Sequence, residues 1–481
     1  MLTTRPSGRQ FPDDFVWGVA TAAYQIEGAV DEGGRGPSIW DTYARTPGMI
    51  RDGDTGDVAT DHYHRVPEDV ELMRDLGVGA YRFSISWPRV QPGGSGPAND
   101  EGLAFYVDLA DRLVAAGIKP FVTLYHWDLP QELQDAGGWT NRETAYAFAE
   151  YAGIVARALG DRVHTWTTLN EPWCSAFLGY ASGMHAPGVT DAAGALAAVH
   201  HLHLAHGLAA RAIRAELGEQ ARVSITLNLH VIHAATSAPE DVEAQRRVNA
   251  VGNDIFTAPL LEGRYPDELL ADTAHVTDWS FVQGGDLEVI RQPLDVLGVN
   301  YYATSLVKRG RPAVADGTLG PDGHRSSQFT PWVGSDEVEF VPTQGPHTEM
   351  GWNIDPDGLV ELLTSLNARY PGMPMAITEN GAAFVDEVAA DGRVHDEARV
   401  AYLHDHVDAL GAAMDAGVDL RGYFVWSLMD NFEWAHGFSK RFGLVRVDYD
   451  TLERTVKDSG RWFRELTRTG VVPPAEDAPT L

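Results

Sequence analysis

Two apolar runs in this 481-residue chain stop on a carboxylate. One, MAITENG, carries Ile377 into Thr378, Glu379, Asn380 and Gly381; the other, VHTWTTLNEP, ends on Asn170 and Glu171. A glutamate that ends a buried strand is aimed at whatever lies beyond the strand's carboxyl end. Two such glutamates facing one pocket are the minimum equipment for hydrolysing a glycosidic bond: one protonates the leaving oxygen, while the other attacks the sugar carbon or activates a water. Each glutamate alone also has a plain explanation, because among 68 acidic residues some must fall at strand ends. The residues ending the other apolar runs narrow the choice. Gln25 follows the first run, Arg82 lies in RFSISW, His126 and Trp127 end TLYHW, and Asn228 ends SITLN. Asn300, Tyr301 and Tyr302 end GVNYY, and FVWSLMDNFEW supplies Trp426, Glu433 and Trp434. Such a set suits a pyranose, whose hydroxyls need donors and acceptors and whose C–H face stacks on an indole. A phosphate site would want several basic groups, and this set holds one arginine.

Those residues need a scaffold that brings strand ends together, and the sequence supplies a repeating unit of helix, glycine and strand. PEDVELMRDLG opens at Pro67 with acids in its first turn, shows helical apolar spacing and stops at Gly77 before the strand YRFSISW. The unit recurs six more times, and the opening strand FVWGVA brings the expected strand count to eight. Strands apolar on both faces that alternate with helices predict a parallel sheet covered by helices, and eight units predict a closed (β/α)8 TIM barrel of the α/β class, its pocket built by extended loops at the carboxyl ends of the strands. An open doubly wound sheet would need a glycine-rich phosphate turn after the first strand, and FVWGVATAAYQIEG has none. No break in composition marks a boundary, so residues 1–481 read as one barrel domain with an ordered core over 9–470. The first nine or so residues and the tail PPAEDAPTL read as flexible, and the Gly-, Pro- and acid-rich stretch from Arg309 to Gln344 as a long loop.

Composition excludes several other roles. With 37 basic and 68 acidic residues the net charge is −31, which repels nucleic acid and anionic membrane and points to a neutral small molecule as partner. The single cysteine, Cys174, rules out an internal disulfide framework and a multi-cysteine zinc site, and reads as an inert buried thiol. No run of about 18 apolar residues suggests a membrane span, and MLTTRPSGRQ lacks a signal-peptide core, so the expected location is the cytoplasm. The histidines of HHLHLAH, at 200, 201, 203 and 206, fall within a helical pattern without zinc-motif spacing and read as packing residues; DHYHR, from Asp61, reads as a capping and packing segment before a helix.

TLNEP, ITENG, NYY and SLMDNFEWAHGFSKRFGL resemble the signature segments of the β-glucosidases of glycoside hydrolase family 1, and the likeness runs in order from FVWGVATAAYQIEG to KDSGRWF. The resemblance implies that Glu171 is the general acid/base and Glu379 the nucleophile of a double displacement with retention of configuration. It implies that Gln25, His126, Trp127, Asn170, Glu433 and Trp434 surround the released sugar over Trp426, that Arg82, Asn300 and Tyr302 support the nucleophile, and that Trp173, Asn228 and Trp352 lie toward the leaving group. The implied substrates are β-glucosides and cello-oligosaccharides, with β-fucosides and β-galactosides also accepted, and no metal or organic cofactor is called for. Members that cleave 6-phosphorylated glycosides put smaller residues in place of the Glu-Trp pair. This chain has Glu433 and Trp434, and Phe442 where those members place a phosphate-binding tyrosine. A non-catalytic sugar binder on the same barrel is the remaining alternative, and it is expected to lack one of the two carboxylates. Oligomeric state and the choice between glucose, galactose and fucose are not legible.

Overall fold

The computed structural model describes residues 8–311 and 329–475. Eight strands form a closed barrel: β1 Val16–Ala20, β2 Ala80–Ser84, β3 Lys119–Tyr125, β4 Thr165–Asn170, β5 Val223–Asn228, β6 Val296–Asn300, β7 Met375–Asn380 and β8 Leu420–Trp426. Every neighbouring pair is parallel, and the ring closes where β1 pairs with β8 in the register Val19↔Val425. Closure removes the free edges of the sheet, and the strands are buried because helices cover the outside while side chains fill the inside.

The covering helices are α1 His62–Asp75, α2 Asp100–Ala115, α3 Glu143–Leu159, α4 Ala192–Leu217, α5 Pro239–Asn249, α6 Pro356–Arg369, α7 Glu397–Asp415 and α8 Asp458–Thr469. Helix α2 shows why they lie where they do. Tyr106, Leu109, Ala110 and Leu113 recur at helical spacing, and all four are buried. The helix ends when Gly117 takes a left-handed φ of 76°, and Ile118 then bonds back to the Leu113 carbonyl on the way into β3.

The structure departs from the sequence reading in four places. Helix α1 begins at His62 rather than Pro67: a first turn is joined across Arg65 (φ −110°), which puts Pro67 inside the helix. Asp61 does not cap that helix with its side chain; its carboxylate instead takes hydrogen bonds from His64 and Arg65. The 309–344 stretch is not loop throughout, because Val338–Val341 pairs antiparallel with Thr304–Arg309, which in turn lies parallel to Val231–Ala234. Finally, the ends are held rather than loose where they are described. Arg9 pairs with Asp408, Gly8 bonds to Val472, and the Trp462 indole donates to the carbonyls of Pro473 and Pro474. The rest of the stretches read as flexible, together with 312–328 of the expected loop, lies outside the described residues.

The four helical histidines are buried on α4 and bonded to their surroundings: His206 to Thr168 of β4 at 2.7 Å, His201 to the Trp139 carbonyl at 2.9 Å, and His200 and His203 to Tyr265.

Candidate active site

Glu171 follows directly on β4 and Glu379 lies within β7, so both carboxylates reach the carboxyl end of the barrel. A cavity of about 380 Å³ opens there, and both line it. Four groups from β2, β4 and the end of β6 join them. Arg82 Nη1 donates to Glu379 Oε1 at 2.7 Å and Arg82 Nη2 to Asn170 Oδ1 at 2.7 Å. Asn300 Nδ2 donates to the same Asn170 oxygen at 3.2 Å and to Glu171 Oε1 at 2.7 Å. The second oxygen of Glu379 accepts the Tyr302 phenol at 2.8 Å. Behind this layer Thr378 Oγ1 donates to Asn300 Oδ1 and Thr226 Oγ1 to Thr378 Oγ1, fixing the carboxamide of Asn300 so that its amino group faces the carboxylates.

Burial and mutual charge separate the proton affinities of the pair. Glu171 is pushed up to about 8, first by burial and then by the charge on Glu379, against the opposing hydrogen bond from Asn300. Burial also raises Glu379, but the adjacent Arg82 guanidinium and the bonds from Arg82 and Tyr302 pull it back. A shared proton therefore belongs to Glu171, leaving Glu379 the anion. Glu433, the third carboxyl of the cavity, is raised to about 8 by burial and then by Glu379.

The rest of the cavity divides into a closed inner end and a mouth. At the inner end His126, Trp127, Trp426, Glu433 and Trp434 line the wall. Asn170 Nδ2 donates to His126 Nε2 at 3.0 Å, and burial with the nearby Arg82 holds that imidazole well below its ordinary range, hence neutral. Gln25 lies on a short helix after β1 and donates to Asn431 Oδ1 at 3.1 Å and to the Phe432 carbonyl at 2.8 Å. Gln25 Oε1, His126 Nδ1 and Glu433 Oε2 have no hydrogen-bond partner within the protein. Three unpaired polar atoms from three loops at one end of a cavity suit a ligand carrying several hydroxyls. Trp127, Glu171 and Trp434 hold left-handed backbone, with φ of 78°, 46° and 46°. The glycine of ITENG has a steric reason: a Cβ at Gly381 would overlap the Trp426 carbonyl oxygen, so only glycine lets the end of β7 close against the floor of the pocket.

Of the candidate site residues named from the sequence, Arg82 and Asn170 stand behind the carboxylates, Gln25 stands beside the inner end, and Tyr301 turns away, its phenol donating to the Asp355 carbonyl; the others line the cavity, Trp173, Asn228, Trp352 and Phe442 included. The mouth also contains residues that sequence reasoning missed: Tyr43, Met49, Met184, His185, His230 and Met350. Cys174 is a buried thiol as expected, and it also touches the acid. Sγ donates to Glu171 Oε2 at 3.3 Å and lines the cavity. The signal was available in E-P-W-C, whose spacing of one helical turn stacks residue 174 over residue 171. Burial and the Glu171 charge push the thiol well up, which keeps it protonated and able to donate.

Comparison with known proteins gives the same picture across the whole chain. Residues 7–471 match the model of glycosyl hydrolase family 1. The bifunctional β-D-glucosidase/β-D-fucosidase of Bifidobacterium breve is 55% identical over 464 residues, covering 95% of this chain and 98% of that protein. β-Glucosidase A of Thermotoga maritima is 45% identical over 461 residues, covering 96% and 98%. Among solved structures, the psychrophilic β-glucosidase of Micrococcus antarcticus superposes with a TM-score of 0.92 at 49% identity, covering 96% of this chain and 98% of that one. The Thermotoga maritima family 1 β-glucosidase in complex with isofagomine lactam superposes with a TM-score of 0.89 at 44% identity, covering 96% and 100%.

Proposed function

Since the chain belongs to glycosyl hydrolase family 1 and is a glycoside hydrolase on this barrel, we propose that it is a retaining β-glucosidase. It removes terminal β-D-glucosyl residues from β-glucosides and cello-oligosaccharides and also accepts β-fucosides and β-galactosides. The observation that carries this reading is the bonded series Glu171, Asn300, Asn170, Arg82 and Glu379, which holds one carboxyl protonated and the other ionised across a single pocket.

In the first step Glu379 attacks the anomeric carbon as the bond to the leaving oxygen breaks, and the proton of Glu171 passes to that oxygen. The glycosyl ester removes the negative charge at Glu379, so the proton affinity of Glu171 falls and it can act as a base. In the second step Glu171 takes a proton from water as the water attacks the same carbon from the opposite face, and Glu379 leaves as a carboxylate. Retention requires carboxyl groups about 5–5.5 Å apart, too close for an intervening water. Gln25, His126, Trp127, Asn170, Glu433 and Trp434 hold the hydroxyls above the Trp426 ring; Arg82, Asn300 and Tyr302 orient the nucleophile; Trp173, Asn228 and Trp352 face the leaving group. Glu433 and Trp434 also disfavour a 6-phosphate, because they fill the space it would need and offer it no positive charge. The lone cysteine supports a cytoplasmic location, where short products of cellulose breakdown are the natural substrates, and residues 1–481 act as one barrel domain.

The test is the initial rate on nitrophenyl β-glucoside, β-galactoside, β-fucoside, α-glucoside and 6-phospho-β-glucoside, for the wild type beside Glu379→Gln. Turnover of the neutral β-glycosides alone, abolished in the variant, is the expected result. Turnover of the α-glucoside or the phosphoglucoside in preference, or an active variant, defeats the assignment.

A further inference from the structure

The segments that follow β7 and β8 are joined by a cluster of six charged side chains. Lys457, immediately before α8, donates to Asp430 at 2.7 Å and to Asp386 at 2.5 Å. Asp430 belongs to the segment after β8, just ahead of Asn431, Phe432, Glu433 and Trp434; Asp386 belongs to the segment after β7, beyond Glu379. Arg399 of α7 pairs with Asp386 at 3.0 Å and Asp396 at 2.5 Å, and donates to the carbonyls of Ala382 and Arg441. Arg441 returns to Asp430 at 2.6 Å. Lys457, Asp386 and Asp430 have no exposed side-chain surface, while Arg399 and Asp396 expose 1% each. Three positive and three negative groups leave the cluster neutral.

Apolar residues of similar volume would hold such a region together at least as well, since burying ions costs much of what their attraction returns. What charges add is direction. Asp430 is gripped on both oxygens, by Lys457 and by Arg441, and Oδ1 also accepts the Gly443 backbone N–H at 3.0 Å. We propose that Lys457 and Asp430 are positioning residues for substrate: they fix the segment carrying Glu433 and Trp434 against the strand carrying Glu379. The same clamp sets Gln25, whose two protein acceptors, Asn431 and Phe432, lie in that segment.

This inference rests on the β-glucosidase reading, and the experiment separates the two. KM, kcat and Tm are measured on nitrophenyl β-glucoside for the wild type, Lys457→Met and the double variant Lys457→Met with Asp386→Asn. Lys457→Met leaves one negative charge in excess and the double variant restores neutrality. The expected result is a KM raised between about 10- and 100-fold in both variants, with kcat changed much less, while Tm falls in the single variant and recovers in the double. A KM that returns to the wild-type value together with Tm means the cluster only stabilises the fold, and overturns the inference. If Lys457→Met does not fold, the double variant and Asp430→Asn decide it: a raised KM supports the clamp, a wild-type KM removes it. A wild type inactive on every β-glycoside overturns the functional reading and the clamp together, whereas an active wild type with unmoved KM in the variants overturns the clamp alone.

Discussion

The inner end of the cavity and its mouth are built on different principles. At the inner end Gln25, His126, Asn170, Glu171, Glu379, Trp426, Glu433 and Trp434 are all less than 9% exposed, and His126, Asn170, Glu171 and Glu379 are tied through one another, Arg82 and Asn300. The mouth is built from loop residues such as Met49, Met184, His185 and Trp352, which are half-buried, and three of its linings are thioethers: Met49, Met184 and Met350. Thioethers adapt to what they touch, whereas a carboxamide wedged between an arginine and an imidazole cannot. Tolerance for the leaving group and intolerance for changes at the sugar are therefore expected from one pocket.

The sharpest test of that contrast is Glu379→Gln, which removes the nucleophile and is expected to lower kcat on the order of 10⁴-fold or more on every β-glycoside. Next comes Glu171→Gln. Loss of the acid should cost about 10²–10⁴-fold on cellobiose and less on nitrophenyl glucoside in a single-turnover measurement of the first step, because nitrophenolate leaves without a proton. Equal losses on the two substrates would remove Glu171 from the acid role. The pH profile of kcat/KM should be bell-shaped, falling on the alkaline side as Glu171 loses its proton near 8 and on the acid side as Glu379 gains one. Asn300→Ala deletes a donor that favours the Glu171 carboxylate, so proton affinity rises and the alkaline limb moves to higher pH; a limb that stays put or moves down contradicts the assignment. The smallest effect belongs to the mouth. Met184→Ala should change KM for aryl glucosides by less than about tenfold and leave the ratio of glucoside to fucoside rates unmoved. A mouth variant that altered sugar preference would break the division between the two ends.

The same division explains what could be read from the chain. β4 and β7 were legible because an apolar strand of both-face burial stops at a polar residue, and barrel closure sends every such residue to one place. Glu171, Glu379, Arg82 and Asn300 could be named from that logic. Met184, His185 and Tyr43 could not, since nothing in a loop's composition states where its path returns in space. The strand at Val338–Val341 was hidden for a related reason: it pairs at the barrel's flank inside a stretch dominated by Gly, Pro and acids. Thr226 and Thr378 were passed over because a buried threonine in a strand looks like β-propensity, and only the bonds to Asn300 reveal the support they give.

The left-handed backbone at Trp127, Glu171 and Trp434 bears on what the chain gives up in stability. Each position costs on the order of 1–3 kcal/mol, and glycine there would relieve it. Trp127 and Trp434 bury their indoles, and the packing they contribute outweighs the strain, whereas at Glu171 a buried carboxyl adds its own desolvation cost to the strained backbone, so that position gives up stability for the proton it holds over the pocket.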